Sequence, residues 1–305
     1  MISLLPLSLL ALAPVTGRPA DPHWYWWIIS YFFLGGIAGG AFLMAALADF
    51  FGDRESQPVV RVGYLLAAPL IVLCGLLLTL DLGQPLRFWH MLINVTTNQL
   101  AFKYWSPMSY GSWILSGFGL CGGAVFLLVL GELRGIRPAG GLVRKAIGAL
   151  GAVFALLFVS YTGVLLNATN QRVWGDNTLL GALFAVSGIS TGIAAIILVL
   201  SLRRGRDAGA IARLERVDLF AVGLELVILL ALIVVLAAAG SVGALIAGRL
   251  GILFWVGVLV AGLLAPLVLY LRPRLLGGLT PLAAASLALI GGFLLRVVVL
   301  FSAHA

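Results

Sequence analysis

The chain has few charged residues, few histidines and few cysteines. Of its 305 residues, 10% are charged and 62% are hydrophobic, and the mean hydropathy is +1.14. A soluble domain carries about one quarter charged residues, so the 19 basic and 11 acidic side chains of this protein cannot cover a globular surface of its size. The composition also excludes a disordered chain and a disulfide scaffold. It indicates a polytopic membrane protein.

The shortage of metal ligands excludes several activities for this chain on its own. Cys74 and Cys121 each lie inside a long apolar run, and an Fe–S or zinc site needs about four ligands. His23, His90 and His304 lie outside the apolar runs, whereas a transmembrane b-type haem needs axial ligands at membrane depth. An intramembrane serine protease would need a histidine or lysine base within a span. The sequence therefore predicts no metal site, no haem, no Fe–S cluster and no catalytic triad in this protein.

The long apolar runs predict an all-α fold that crosses the membrane eight times. A transmembrane helix needs about 20 mostly apolar residues. Windows of this kind lie at residues 26–49, 62–80, 108–131, 146–166, 178–202, 217–240, 250–271 and 281–302. An even number of spans places both termini on the same side of the membrane.

The basic residues predict which side that is. Thirteen Lys and Arg residues fall in the loops after spans one, three, five and seven, and five fall on the other side. Because the richer side faces the cytoplasm, we expect both termini on the outer, periplasmic side of a bacterial or archaeal cytoplasmic membrane. The net charge of +8 reflects this orientation, and no nucleic-acid partner is expected, since a nucleic-acid footprint needs a basic patch on a water-exposed face.

We interpret residues 1–305 as a single integral membrane domain. Residues 1–25 would form an outer-face N-terminal segment, and residues 26–302 the helical bundle. The longest outer loop, residues 81–107, is also rich in aromatic residues, and its residues 85–92 predict a short helix in the interface. The aromatic residues suit an ordinary membrane-interface belt. Alternatively, the loop closes a ligand pocket or docks another subunit.

Polar and small residues near the outer face are candidates for ligand binding. Gly35 and Gly36 belong to a glycine-rich stretch within the first span, where small residues let a neighbouring helix or a flat ligand approach the backbone. Tyr31 lies one turn above them, and Tyr161 in span four lies at a similar depth. A phenol hydroxyl at this depth can bond a quinone carbonyl, but it also suits a belt tyrosine. Asp81 ends the second span on the same side.

Ionisable residues inside the spans are costly and are functional candidates by default. Asp218 and Glu225 lie two turns apart in span six, at about 10 Å along one helix face. With Asp49 at the end of span one and Arg296 in the outer half of span eight, they form a candidate proton pathway. The alternative is a buried ion pair between Glu225 and Arg296 that joins two helices.

Five segments together resemble one known family. They are 31–40 (YFFLGGIAGG), 81–89 (DLGQPLRFW), 106–113 (SPMSYGSW), 160–166 (SYTGVLL) and 291–296 (GGFLLR). The protein is similar in these segments to the NrfD/PsrC family, the membrane subunits of polysulfide reductase and of related molybdopterin or multihaem respiratory complexes. DLGxP and SPMS are the most specific elements. The resemblance extends from the first span to the last.

The resemblance implies two four-helix bundles and a site for menaquinone or ubiquinone near the outer face. It also implies a ferredoxin-like, four-cluster Fe–S subunit docked on that face and a separate molybdopterin or multihaem catalytic subunit. Matched by motif, the quinone-contacting tyrosine of the family falls on Tyr161 and its polar first-helix position on Tyr31. The polysulfide reductase branch has an asparagine one turn earlier, where this protein has Ile28. The complete set of candidate quinone residues is Tyr31, Gly35, Gly36, Asp81, Arg87 and Tyr161.

Two functions remain open at this stage. The first is a quinone- or quinol-interacting membrane anchor of a respiratory oxidoreductase complex, which exchanges electrons with the Fe–S partner and conducts protons through the bundle. The second is a secondary transporter with mid-membrane acidic residues. A transporter should have helices broken at corresponding points of its two halves. Pro69 and Pro266, in spans two and seven, do not form a clear pair of this kind.

Overall fold

The computed structural model describes residues 24–136, 141–169, 171, 173–175, 177–203 and 207–304. All but the last two residues of the expected N-terminal segment 1–25 lie outside this part of the protein. Within it, eight helices are long and apolar enough to cross a membrane, which confirms the predicted number of spans. They are α1 (Trp26–Phe51), α2 (Gln57–Asp81), α3 (Pro107–Leu133), α4 (Gly141–Asn167), α5 (Leu179–Ser201), α6 (Ala208–Ala238), α7 (Gly248–Leu271) and α8 (Thr280–Phe301).

Several helices begin earlier than the apolar windows predict. α4 begins at Gly141 instead of 146, and α6 begins at Ala208 instead of 217. The additional turns carry charged residues, such as Arg144 and Arg213, that the windows assign to loops. The windows miss these turns because hydropathy reports only the residues in hydrocarbon, whereas the backbone bonds of a helix continue into the polar region beyond it.

The helices form two four-helix bundles, as the family resemblance implies. Helices α1–α4 pack in one ring, and helices α5–α8 pack in a second ring. The contact between the rings is formed mainly by α1 and α4 against α5. Close approach is possible there because glycines meet: a Cβ added to Gly36 of α1 would lie 3.2 Å from the Cα of Gly188 of α5. The glycine-rich stretch of α1 therefore serves helix packing.

The two membrane helices with a proline well inside the span, Pro69 in α2 and Pro266 in α7, differ in regularity. α2 runs unbroken from Gln57 to Asp81 through Pro69. α7 has a π-helical middle, Leu253–Leu264, followed by an α-helical end that contains Pro266. Because α2 is continuous, the described residues contain no matched pair of broken helices of the kind expected for the transporter alternative.

We name the two ends of the bundle after one acidic residue each, Asp81 and Asp53. The Asp81 end contains the starts of α1 and α3 and the ends of α2 and α4, and the Asp53 end contains the α1–α2 connection and the start of α6. At the Asp81 end, Pro85–Met91 forms a 3₁₀ helix, so a short helix does form where the sequence predicts one. An antiparallel bridge between Ile93 and Leu100 closes the rest of this loop.

Candidate functional site

A cavity of about 420 Å³ lies within the α1–α4 bundle at the Asp81 end. It is lined by the N-terminal part of α1, the C-terminal parts of α2 and α4, the N-terminal part of α3 and the 3₁₀ helix of the loop. Its volume lies within the roughly 300–1,000 Å³ typical of small-molecule sites. Most of the lining is apolar, with a few polar side chains among it.

Two phenol groups of this cavity are free hydrogen-bond donors. Tyr31 of α1 and Tyr161 of α4 both line it and are both buried. Among the described residues, neither hydroxyl has a hydrogen-bond partner. The aliphatic hydroxyls differ, because Thr79 donates to the Gly75 carbonyl at 2.7 Å and Ser116 to the Ser112 carbonyl at 2.7 Å. The phenols are therefore available to a ligand with carbonyl groups.

The Tyr161 ring occupies its position because Gly111 has no side chain. Gly111 is buried in α3, and a Cβ added there would overlap the phenol ring of Tyr161. The start of α3 is fixed by Ser106, whose side chain accepts a hydrogen bond from the Ser109 amide at 3.4 Å, and by Pro107 in its first turn. The segment 106–113 thus positions the glycine that makes room for the tyrosine.

The Tyr31 ring is held by neighbouring aromatic rings. The Phe32 ring centroid is 5.4 Å away and the Phe158 centroid 5.9 Å away, the latter in an edge-on arrangement. Edge-on pairs of this kind are favourable. Because packing fixes the ring, the direction of its hydroxyl is defined before any ligand binds.

The structure brings three of the six candidate quinone residues together. Tyr31, Asp81 and Tyr161 line the same cavity. Gly35 lies outside the lining, against the ring of Phe158, and Gly36 lies at the contact between the two bundles. Arg87 is exposed on the 3₁₀ helix and is not part of the lining.

Sequence reasoning missed two residues that shape the cavity. They are Gly111 and Trp24, whereas Phe88 lies in the outer loop for which closing a ligand pocket was one of the expected alternatives. Gly111 and Phe88 belong to the segments that carry the family resemblance, so the motifs contained a signal for these two. Trp24 carries no such signal, because it precedes the first span.

A second group of buried polar residues lies in the α5–α8 bundle and begins at Asp218 of α6. Asp218 is fully buried, and the Tyr270 hydroxyl of α7 donates to its Oδ2 at 2.6 Å. Its Oδ1 has no partner among the described residues. Ser190 of α5 interacts with the same carboxyl group. A buried carboxylate oxygen without a donor is costly, so this group is a natural acceptor for a proton or a water.

Ser187 lies next to both Glu225 and Arg296. The Arg296 guanidinium donates to the Ser187 Oγ of α5 at 2.9 Å, to the Gly292 carbonyl at 2.6 Å and to the Phe32 carbonyl at 3.4 Å. Ser187 also interacts with the Glu225 carboxyl group. Since Ser187 accepts from Arg296, its own hydroxyl hydrogen is free to bond Glu225.

The sequence identified the ionisable members of this group but not the residues between them. Ser187 of α5 lies beside Glu225 and Arg296, Ser190 of α5 lies beside Asp218, and Tyr270 of α7 adds a fourth helix. We call these residues the polar chain, which has two parts: Tyr270, Asp218 and Ser190 form one, and Glu225, Ser187 and Arg296 form the other. Asp218 and Glu225 are close enough to interact electrostatically, but no hydrogen bond of the described residues joins the two parts. Single hydroxyls in an apolar helix usually bond their own backbone, so their sequence positions gave no signal.

Asp49 lies in the other bundle and is paired. Arg144 of α4 donates to its two carboxylate oxygens at 2.6 and 2.9 Å, and the same guanidinium donates to Glu132 of α3 at 2.7 Å. Asp49 is buried, and Arg144 is nearly so. The pairing joins the ends of α1, α3 and α4, and the structure does not bring Asp49 together with the polar chain.

A further ionic contact lies outside the membrane spans at the Asp53 end. Arg213 of α6 donates to Asp53 at 2.8 Å and also pairs with Glu55. The hydrogen bond from Arg213 lowers the pKa of Asp53 to about 2. All three side chains are exposed, so the contact links the α1–α2 connection to α6 without forming a buried site. The described residues contain no cluster of three His, Cys, Asp or Glu side chains placed to hold a metal ion.

Comparison with known proteins gives one consistent result. A family model described as polysulphide reductase, NrfD, matches residues 14–305. The C component of polysulfide reductase from Wolinella succinogenes is 31% identical over 271 residues, which cover 81% of this sequence and 82% of that protein. Protein NrfD of Escherichia coli is 28% identical over 313 residues, 92% of this sequence and 94% of that protein. The C component of selenate reductase from Mesobacillus selenatarsenatis is 32% identical over 78 residues, 25% of this sequence and 18% of that protein.

Proposed function

The chain belongs to the NrfD family, and we propose that it is the quinone-reactive membrane subunit of a respiratory reductase complex. The observation that carries this proposal is the pair of buried phenols, Tyr31 and Tyr161, whose unpartnered hydroxyls share one cavity with Asp81. A quinone supplies two-electron, two-proton chemistry, and its carbonyl oxygens accept hydrogen bonds. The cavity offers donors for those oxygens and an apolar lining for the ring.

The residues of the cavity have distinct parts in this proposal. Tyr31 and Tyr161 orient the headgroup by donating to its carbonyls, because phenol donors fixed by packing lose little freedom on binding. Asp81, at the end of α2, lines the cavity and is also exposed on the outside of the protein. It can therefore exchange protons between the cavity and its surroundings. Trp24 and Phe88 cover the ring and limit access of water.

We propose that the Asp81 end faces the periplasm and docks an Fe–S subunit of the ferredoxin-like, four-cluster type. The loop at this end exposes large apolar side chains, including Leu86, Leu100 and Trp105. Such exposure in a loop at the end of a bundle is typical of a contact surface. A molybdopterin or multihaem subunit beyond it would hold the catalytic metal, and the termini of this protein would face the same side.

We further propose that the polar chain transfers protons between the cytoplasm and the cavity. Two carboxyl groups and one guanidinium are buried together, so one carboxyl would leave an unbalanced charge in the apolar interior unless it bound a proton. Ser187 and Ser190 can pass a proton along, since a hydroxyl both accepts and donates. At the end of the polar chain opposite Tyr270, the Arg296 guanidinium donates to the carbonyl of Phe32, the residue next to Tyr31.

The proposed site is tested by quinone titration of the purified complex in nanodiscs. In the double variant Tyr31→Phe and Tyr161→Phe, each lost hydrogen bond costs about 0.5–1.5 kcal/mol, so naphthoquinone affinity should fall by about fivefold or more. Tyr110→Phe is the matched control, because Tyr110 lies on α3 next to Gly111 but outside the lining. Unchanged affinity in the double variant would place the quinone elsewhere.

A further inference from the structure

Trp174 lies where the chain passes from the first bundle to the second, in the connection between α4 and α5. Its side chain is fully buried, and it does not line the cavity itself. The Gly175 amide donates to the Gln171 carbonyl at 2.7 Å. The Asn177 amide donates to the Asn167 side-chain oxygen at 2.9 Å. These bonds fix the backbone of the connection on both sides of Trp174.

The indole of Trp174 is anchored to the end of α8. Its Nε1 donates to the Val299 carbonyl at 2.7 Å. Val299 is the third residue from the end of α8, and the last four carbonyls of a helix have no partner within the helix. The Ser302 hydroxyl donates to the same carbonyl at 2.7 Å. A buried indole needs an acceptor for its N–H, so this bond fixes the ring relative to the second bundle.

The ring of Trp24 stacks on the ring of Trp174. The ring centroids are 5.8 Å apart, and the ring planes differ by 16°. Stacked pairs at such distances are favourable. Trp24 lines the cavity, but it precedes α1, which begins at Trp26. Its position therefore depends on side-chain packing and not on the backbone bonds of a helix.

α8 reaches α1 at a second point, one turn earlier along α8. Arg296 precedes Val299 by three residues and donates to the Phe32 carbonyl at 3.4 Å. Phe32 is next to Tyr31, which lines the cavity. α8 therefore contacts a neighbour of each of two lining residues, through Trp174 for Trp24 and through Phe32 for Tyr31. A cavity of the first bundle thus depends on a helix of the second.

We propose that Trp174 is a positioning residue of the headgroup cavity, which holds Trp24 in the lining from the second bundle. The inference rests on the proposed function. A quinone headgroup is a flat ring, and flat rings pack favourably against an indole. A ring that is already fixed loses little freedom when the ligand binds. Because Trp174 is anchored to α8, the helix that carries Arg296 also contributes to the geometry of the quinone site.

The test compares variants of the assembled complex in nanodiscs. Trp174→Leu removes the ring on which Trp24 stacks, whereas Trp174→Phe keeps a smaller aromatic ring at the same place. Trp24→Leu removes the lining ring itself. Trp26→Leu is the matched control, because Trp26 also pairs with an aromatic residue at the end of α8, Phe301 at 5.4 Å, but lies outside the lining. Menadione affinity is measured by titration, and steady-state turnover with the same quinone couple gives KM and kcat.

Trp174→Leu should weaken menadione binding by about threefold to tenfold. KM should rise by the same factor while kcat keeps its wild-type value, because the lost contact serves binding and not the reaction step. Trp174→Phe should recover part of the affinity, and Trp26→Leu should bind like wild type. Trp24→Leu should bind about as weakly as Trp174→Leu. Adding Trp174→Leu to Trp24→Leu should cause no further loss, because the positioned ring is already absent.

Wild-type affinity in Trp174→Leu would overturn the positioning role and leave the proposed quinone site intact. Additive losses in the double variant would overturn it too, because Trp174 would then act independently of Trp24. If Trp174→Leu does not assemble, Trp174→Phe with and without Trp24→Leu provides the same comparison. If the wild-type complex bound no menadione, the proposed function itself would fail.

Discussion

Arg296 donates a 2.9 Å hydrogen bond to Ser187, and this contact separates the arginine from the carboxylate of Glu225. Within the described residues, no acidic oxygen lies within 4.0 Å of Arg296. The direct Glu225–Arg296 ion pair that the sequence left open is therefore not formed. The guanidinium is instead held by Ser187, by two carbonyls and by the faces of Phe33 and Phe184. Because no ion pair with Arg296 holds its charge, Glu225 is the residue on which the proposed proton pathway is tested first.

The first prediction concerns proton transfer by Glu225. Glu225→Gln keeps the size and hydrogen-bonding capacity of the side chain but cannot exchange a proton. We expect a folded complex whose quinol-linked turnover falls by about tenfold or more, in line with the contribution of a positioned acid or base. Proton uptake from the cytoplasmic side of proteoliposomes should fall with it.

Ser187→Ala is the companion variant for that experiment. It removes the hydroxyl between Glu225 and Arg296 and should slow proton uptake without removing either charge. A folded Glu225→Gln complex with normal turnover and normal proton stoichiometry would end the proton-pathway proposal.

The second prediction concerns Gly111 as the residue that positions Tyr161. In Gly111→Ala the new methyl group would overlap the Tyr161 ring, so the ring must turn away from the cavity. Quinone affinity of the complex should fall at least as far as in Tyr161→Phe. The double variant Gly111→Ala with Tyr161→Phe should have the same quinone affinity as Gly111→Ala alone, because the Tyr161 hydroxyl is already misplaced. Additive losses in this double-mutant cycle would contradict the positioning role.

The third prediction separates Asp49 from the proposed proton path. Asp49→Asn leaves Arg144 with Glu132 as its one remaining carboxylate partner in the described residues. Breaking a buried pair costs about 3–5 kcal/mol, so the complex should unfold at a lower temperature. Protons taken up per turnover in the folded fraction should not change. Normal thermal stability with reduced proton uptake would instead indicate that Asp49 belongs to the proton pathway.

The fourth prediction is that the purified protein holds no haem and no Fe–S cluster. It rests on the two cysteines, Cys74 and Cys121, and on the lack of histidine inside the eight predicted spans. An absorption spectrum of the isolated subunit should have no Soret band, and its iron content should be at background. A Soret band that follows this subunit through purification would contradict the prediction.

Several features of the site could be predicted because they depend on local residue chemistry. Tyr31, Asp81 and Tyr161 were selected by depth and motif, and they do line one cavity. Gly35 and Gly36 were selected by the same reasoning, yet they face other helices. Residues four apart on a helix share a face only approximately, and a small rotation of α1 decides which of them meets a ligand and which meets α4 or α5. Sequence spacing does not fix that rotation.

The sequence by itself determined that this protein crosses a membrane eight times, because about 20 consecutive apolar residues can satisfy their backbone in lipid only as a helix. It also determined which charges had to be buried, since Asp218, Glu225 and Arg296 lie inside those runs. Only the tertiary structure decided their partners. Ser187, Ser190 and Tyr270 come from helices that meet α6 and α8 only in the folded bundle. Likewise, Gly111 of α3 makes room for the Tyr161 ring of α4 only where the two helices pack, and such a relation between two helices is encoded in neither one alone.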